Sequence, residues 1–333
     1  MRYTMKEIAN KVGVSQSTVS RVISGDPRIS IKTREKVEEV IKELDFYPNS
    51  SARNLVIGKS NTIGIVIDTN EEGQFSNTFF SRSLFAIEKI AKENQYHLLL
   101  LNNDYKEDNS QLKKMILENK VDGIILPSNL VTDEVVEVLN ESNTSFVIMG
   151  EPSKSAKLLN WVDINNRQGS VIAVEFMRNL NLNSLILVIE DECQFYNIRR
   201  AEGFKESLLK NGIKGEIVTL KDPNWKREFL LNFRKGETGV ICGNNFISSQ
   251  ILRLAKENNF KFIEDIQLIS FDNYPLAEYL DPRLTTIDVD TFQLGASAAN
   301  TLFKLIRGSK NKKPLNKYIE NKIYERESTG GIK

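Results

Sequence analysis

Gln16, Ser17 and Arg21 fall within TMKEIANKVGVSQSTVSRVISG, residues 4–25, and together they carry the donors and acceptors that read base edges. An amide can pair twice with adenine, a guanidinium can pair twice with guanine, and a hydroxyl serves either. They can act together only if one element projects all three to the same side, and the flanking residues specify such an element. Thr4 and Glu7 have the spacing of a capping box, which starts a helix at about Met5 with Ile8, Ala9 and Val12 as its apolar stripe. Gly13 to Ser15 then makes a tight turn, and Ser15 caps a second helix. In that helix Val19, Val22 and Ile23 point inward while Gln16, Ser17 and Arg21 point outward, and Gly25 is expected to close it. The pattern predicts a helix-turn-helix presenting its second helix to the DNA major groove.

A third helix is expected from a cap at Ser30, with Val37, Val40, Ile41 and Leu44 covering the first two. Pro48 stops it, and Asn49 or Ser50 can cap a further short helix over about residues 49–57. Helices shorter than about 12 residues are marginal alone, so this one needs DNA or a second copy of itself to order. Leu55 is then an apolar wedge able to open a base step from the minor groove.

These residues resemble the headpiece and hinge of the lactose/galactose repressor family. VSQSTVSRV, SIKTREKVEEVIKEL, YPNSSARNL and SNTIGIVI occur in that family's order. The resemblance implies that Gln16 and Ser17 read bases with Arg21 further along the helix, and that Leu55 is the intercalating hinge leucine. It also implies DNA contacts from Thr4, Ser15, Thr18 and Ser20 in the head and from Asn49, Ala52 and Arg53 in the hinge. The DNA-binding headpiece is accordingly expected to span residues 1–60.

Charge agrees. Residues 1–60 hold eleven Lys or Arg against seven Asp or Glu, while the remainder holds 34 against 37, for a net +1 over 333 residues. The basic excess is confined to the head, which excludes general polyanion binding. No apolar run approaches the roughly 18 residues of a membrane span, and MRYTMKEI is not a secretion signal, so a cytoplasmic protein is expected. Cys193 and Cys242 are too isolated for a metal site and read as small buried residues rather than a disulfide. His97, in the apolar run YHLLLLN, reads as a packed or edge-facing strand residue and not a general base. Gly58-Lys59-Ser60 imitates the end of a phosphate-binding loop, but Arg53 replaces its first glycine and the segment precedes a strand instead of following one. With no glycine-rich dinucleotide motif either, no catalytic residue, metal or cofactor is expected.

About 270 residues remain, which suits two lobes. TIGIVID, YHLLLLN, DGIILP and SFVIM alternate with amphipathic segments at Phe79–Glu93, Asn109–Asn119 and Asp133–Asn140. From about Asn166, SLILVI, EIVTL, GVICG and QLISF alternate with segments at Ala201–Lys210, Ser248–Asn258 and Phe292–Arg307. Such alternation predicts an α/β domain of two doubly wound parallel sheets, 61–333, with a ligand site beyond the strands' carboxyl ends. The first lobe is expected over about 61–161 and 291–316, the second over about 162–288 and 317–333.

The family resemblance extends over this region and implies a periplasmic-binding-protein-like fold with a small-molecule effector, a sugar, in the cleft. NTFF at 77–80, RAEGF at 200–204, CGNN at 242–245, SFDN at 270–273, LTTID at 284–288 and ERESTG near the end match family motifs. Carried across, they and the strand before Asn165 implicate Phe79, Phe80, Ile164, Arg200, Asn244 and Asp272 in holding the effector. A guanidinium can fork across adjacent hydroxyls, a carboxylate can accept from others, and aromatic rings can cover a sugar's C–H face. Trp225, in the loop segment DPNW, is a further stacking candidate. Thr78, Asn165 and Asn245 depart from the family's proline and aspartates, and EEGQFSN with FVIMGEPS looks closer to maltose-type regulators. The resemblance further implies a homodimer on a palindromic DNA operator, effector affinity coupled to DNA affinity, and, in a global regulator of this kind, a protein co-regulator. The chain stops at GGIK, leaving no room for a tetramerising helix, so a dimer is expected.

Overall fold

In a computed structural model, residues 3–46, 59–67, 78–102, 110–153, 158–308 and 313–331 are described. Asn49, Ala52, Arg53, Leu55, the expected hinge helix, Asn77 and EEGQFSN all lie outside the described residues. Contacts divide the chain into two units, Met1–Asn61 and Thr62–Lys333.

The first unit is built on caps. In α1 (Met5–Val12) the Glu7 amide donates to Thr4 Oγ1 at 3.3 Å, and the Thr4 amide donates to Glu7 Oε2 at 2.7 Å, which completes the capping box. Gly13 takes the left-handed φ of 76° that the turn requires. Ser15 caps α2 (Gln16–Ile23), accepting from the Thr18 amide, and Ser30 caps α3 (Ile31–Glu43), accepting from Thr33. Ser24 closes α2, and the expected cap Gly25 follows it with φ 75°. Ile8, Ala9, Val19, Val22 and Val37 form the core. Val40, Ile41 and Leu44 are only half-buried, because three short helices cannot enclose every apolar position.

The second unit holds two six-stranded sheets of matching design. The first contains β1 (Thr62–Ile67), β2 (His97–Asn102), β3 (Gly123–Pro127), β4 (Ser145–Met149), β5 (Trp161–Ile164) and β11 (Asn316–Ile319), in spatial order β11-β5-β4-β3-β1-β2. The second contains β6 (Ser184–Ile189), β7 (Lys214–Thr219), β8 (Thr238–Cys242), β9 (Gln267–Phe271), β10 (Thr285–Asp288) and β12 (Lys322–Tyr324), in order β12-β10-β9-β8-β6-β7. All pairs are parallel except β10 with β12. The two expected doubly wound parallel sheets are thus present, the second with one antiparallel edge strand. β11 runs parallel to β5, and after Glu320 and Asn321 the chain enters the second sheet directly, with no helix to reverse its direction.

Strand pairing also moves the lobe boundaries. β5 and β11 lie wholly in the first sheet, so the passages between lobes fall at Asn165 and Glu320 and not within the strands. Asn165 marks its passage by capping α7 (Asn166–Asn179) through the Gln168 amide. This helix, NRQGSVIAVEFMRN, has no counterpart among the segments picked out from the sequence.

In the first lobe α4 (Thr78–Glu93), α5 (Ser110–Leu117) and α6 (Asp133–Glu141) follow β1, β2 and, with an intervening turn, β3. In the second, α8 (Phe195–Asn211), α9 (Trp225–Asn232), α10 (Asn245–Glu257) and α11 (Pro275–Tyr279) follow β6 to β9, and α12 (Thr291–Ile306) returns to the first lobe against α4. Each lobe has one helix pair in close approach. A Cβ on Gly203 of α8 would run into the Arg167 carbonyl of α7, and one on Gly295 of α12 into the Ser83 carbonyl of α4. The glycine of RAEGF is therefore a packing requirement. One apolar cluster spans both lobes, from Ile63 and Phe80 through Ile164 and Ile319 to Leu187 and Phe271.

Candidate functional sites

On the first unit, α2 presents Gln16, Ser17, Ser20 and Arg21 as exposed side chains, while Val19 and Val22 are buried behind them. The Gln16 and Arg21 side chains make no hydrogen bond among the described residues, so their amide and guanidinium groups are available to base edges. Thr4, Ser15, Ser17 and Thr18 already have local side-chain bonds. Ser15 Oγ lies 2.7 Å from Ser17 Oγ and 2.8 Å from Thr18 Oγ1, and Thr4 Oγ1 donates to Glu7 Oε2 at 2.9 Å. Thr4, Ser15 and Thr18 thus shape the helix that Gln16 and Arg21 extend from.

In the second unit, the carboxyl ends of β6, β8 and β9 collect polar groups. Arg200 sits in the second turn of α8, which starts at Phe195 and not at Ala201. Its Nε donates to Asn166 Oδ1 at 2.9 Å, its Nη1 donates to the Gly243 carbonyl at 2.7 Å, and its guanidinium lies 4.1 Å from the centroid of the Phe271 ring. Burial lowers its pKa, and the charge of Asp272 works against that.

Asp272 follows β9 with a left-handed φ of 74°, a conformation rarely taken by a non-glycine residue. Its amide donates to the Ile287 carbonyl at 3.0 Å, and its own carbonyl accepts from Asn245 Nδ2 at 2.8 Å. The turn is held by the backbone, and the carboxyl has no hydrogen-bond partner among the described residues. Burial pushes that carboxyl up to about 6, opposed by Arg200. Asn245, which stands where the family has aspartate, donates from Nδ2 to Ser270 Oγ, the Phe271 carbonyl and the Asp272 carbonyl. A carboxylate could not donate there, so asparagine suits the position. Asn244 caps α10, its Oδ1 accepting from the Ile247 amide at 2.8 Å.

The remaining expected residues are mostly packed. Phe80 and Ile164 belong to the apolar cluster and Phe79 borders it half-buried. Ile164 also lines a cavity of about 330 Å3 with Glu151, Asn165, Asn166, Arg167, Arg199 and Tyr318. Trp225 begins α9 instead of standing in a loop, and it is buried with Val218, Phe229 and Val240. That cluster covers the face of β6 formed by Ile186 and Val188, whereas Phe204 of α8 packs on the face formed by Leu185 and Leu187. Arg200 and Trp225 therefore belong to helices on opposite faces of one sheet.

Several polar groups near Arg200 had no sequence signal. Asp163 of β5 is buried, its Oδ1 and Oδ2 accepting from the Ile164 and Glu151 amides, and burial pushes it up to about 6. Tyr196 places its ring 5.2 Å from the Arg200 guanidinium. Only the regular i, i+4 spacing of Tyr196 and Arg200 on one helix could have suggested the second. His97 is exposed on the edge strand β2, Cys242 is buried with its thiol pushed up to about 12, and Cys193 is exposed, contrary to the expectation that both cysteines are buried.

Residues 4–49 match the model for bacterial regulatory proteins of the lacI family, and residues 174–329 match the periplasmic binding protein-like domain. The head is thus a lacI-family domain. It is 28% identical to catabolite control protein A of Staphylococcus aureus strain Mu50 over 335 residues, covering 99% of this chain and 100% of the relative. It is 27% identical to the HTH-type transcriptional regulator RegA of Clostridium saccharobutylicum over 339 residues, covering 99% and 100%. The lac repressor dimer bound to operator and the anti-inducer ONPF shares the fold with a TM-score of 0.81 at 21% identity, covering 99% of each chain. The chain thus combines a lacI-family helix-turn-helix head with a periplasmic binding protein-like two-sheet domain. Among the described residues no helix is long and apolar enough to cross a membrane.

Proposed function

We propose that this regulator binds a near-palindromic DNA operator as a homodimer and represses a carbohydrate-utilisation operon, with a sugar held between the lobes. The observation that carries the reading is the pairing of Arg200 with the unpartnered carboxyl of Asp272 in a chain whose α2 leaves Gln16 and Arg21 free. A fixed guanidinium edge beside an open carboxyl is suited to vicinal hydroxyls. Phe79 and Ile164 would contribute apolar contacts and Asn244 an amide, while Phe80 and Trp225, packed in the apolar clusters, would shape the site from behind. Sugar affinity and operator affinity are then coupled, each changing the other by the same factor. Ser15, Thr18, Ser20 and Thr4 would support the base-reading residues, and Asn49, Ala52, Arg53 and Leu55 would engage the minor groove. The protein acts in the cytoplasm and catalyses no reaction.

A thermal-shift screen against mono- and disaccharides and their phosphates tests this, because a ligand specific to the folded state raises the melting temperature. Maltose and cellobiose belong in the first set, since solved neighbours include a probable maltose operon repressor of Staphylococcus and a CelR–cellobiose complex. A hit should also change operator affinity, and a panel with neither effect would remove the sugar.

The full-length match to catabolite control protein A favours a second reading, a global regulator whose DNA affinity is set by a protein co-regulator. In that case no sugar alone would alter operator binding, and adding a purified co-regulator protein would.

A further inference from the structure

Glu151 is 5% exposed and its carboxylate accepts three hydrogen bonds. Arg199 supplies two, from Nε at 3.0 Å and Nη2 at 2.6 Å, and the Tyr318 hydroxyl supplies the third at 2.8 Å. The elements behind these side chains divide cleanly between the lobes. Glu151 follows β4, its amide donates to Asp163 of β5, and Tyr318 stands in β11 with its ring 4.9 Å from Trp161. All four belong to the first lobe. Arg199 belongs to α8 of the second lobe, where its Nη1 donates to Glu202 at 2.8 Å and its guanidinium lies 4.8 Å from the Phe195 ring centroid.

We propose that Glu151 and Arg199 form a latch that restrains rotation of one lobe against the other, with Tyr318 as its backing. This deepens the ligand-responsive reading given above and rests on it, because a latch on the lobe angle matters only where that angle is regulated.

Three physical points support the latch. The pair is bidentate, so it fixes an angle as well as a distance, unlike a single point contact. It lies beside the passages between lobes, where Asn165 Nδ2 donates to Glu320 and Asn321 Nδ2 donates to the Asn165 carbonyl, so a small twist there changes the whole lobe angle. Separation would leave the Glu151 carboxylate with Tyr318 alone in an enclosed setting, and a buried charge stripped of its counter-ion is strongly disfavoured. The latch also lines the cavity of about 330 Å3 with Ile164, Asn165 and Asn166, and Asn166 in turn accepts from Arg200 Nε. Tyr318 responds as expected for a phenol facing a carboxylate, since burial and the Glu151 bond both raise its pKa.

The test measures lobe separation in the full-length protein without sugar or DNA, so its outcome does not depend on whether the sugar reading holds. With Cys193 changed to Ser, spin labels at Glu137→Cys on α6 and Lys256→Cys on α10 report the distance between lobes by pulsed electron resonance, the labelled chain being diluted with excess unlabelled protein so that a dimer carries labels on one protomer only. Arg199→Leu and Glu151→Gln should each broaden that distribution and displace its mean. Tyr318→Phe keeps the ring on Trp161 and removes one bond, so it should give a smaller change in the same direction. A cooperative thermal melt establishes that each variant is folded. The proposal is overturned if every folded variant reproduces the parent distribution, and Tyr318→Phe with Glu151→Gln decide it should Arg199→Leu not fold.

Discussion

Arg200 lies over the Phe271 ring, 4.1 Å from guanidinium carbon to centroid, with its edge fixed by Asn166 and the Gly243 carbonyl. The residue after Phe271 is Asp272, so one strand end supplies both the surface beneath the guanidinium and the carboxyl beside it. Stacking on one face leaves the in-plane donors directed sideways, where hydroxyl oxygens can approach.

Asp272→Asn retains the shape of this end while removing its charge. The ligand-induced rise in melting temperature should be lost or sharply reduced, with sugar affinity weakened by about 1.5–3 kcal/mol, the range for a hydrogen bond to a charged group. Isothermal titration with the sugar found by screening provides the check, and operator binding without sugar should stay unchanged. Equal sugar affinity in both proteins would remove Asp272 from the ligand contacts.

The same substitution has a pH signature. The folded carboxyl is raised from 3.8 to about 6, so the folded state holds its proton more tightly than the unfolded state. Its stabilising contribution is complete below the unfolded value and declines as pH rises through the folded one. The urea midpoint of Asp272→Asn relative to the wild type should therefore improve between about pH 4 and about pH 6 and then level off. Asp163, raised for the same reason, should impose a similar slope that survives this substitution.

Arg21 is exposed and contributes nothing to the apolar core of the head. Arg21→Ala should leave the melt of the protein unaltered and cost ~1–3 kcal/mol at a base position of the operator. A base-by-base operator titration separates this from loss of a phosphate contact, which would weaken all sequences alike.

Ser15→Ala removes an N-cap instead of a reader. The Thr18 amide loses its side-chain acceptor and keeps only the Ser15 carbonyl, and α2 should lose about 0.5–2 kcal/mol. Hydrogen exchange over residues 16–23 should accelerate while exchange in β6 and β8 stays constant, and uniform acceleration would argue against a local cap.

Gly203→Ala places a methyl group against the Arg167 carbonyl, where backbone and not a flexible side chain must yield. A destabilisation of about 1–3 kcal/mol is expected, measured by urea midpoint. An unchanged midpoint would show that α7 and α8 can separate without cost.

Much of the head was legible because its signals are local. Thr4 with Glu7, Gly13, Ser15 and Ser30 each act within four residues, and all appear as caps or turns. Arg200 and Asp272 were legible through motif resemblance, although nothing in their spacing says that Phe271 would lie between them. Trp225 misled because a tryptophan after DPN suits either a loop or a helix start, and only burial against Phe229 and Val240 separates the two.

By itself the sequence determined the capped helices, the apolar strands and the residue types with readable chemistry, since each depends on contacts made within a turn or along one strand. Tertiary structure alone decided that β12 runs against β10, that Gly203 admits the Arg167 carbonyl, and that Glu151 meets an arginine 48 residues away. Those relationships depend on strand order and on burial shared between segments distant in the chain, and a one-dimensional pattern carries neither.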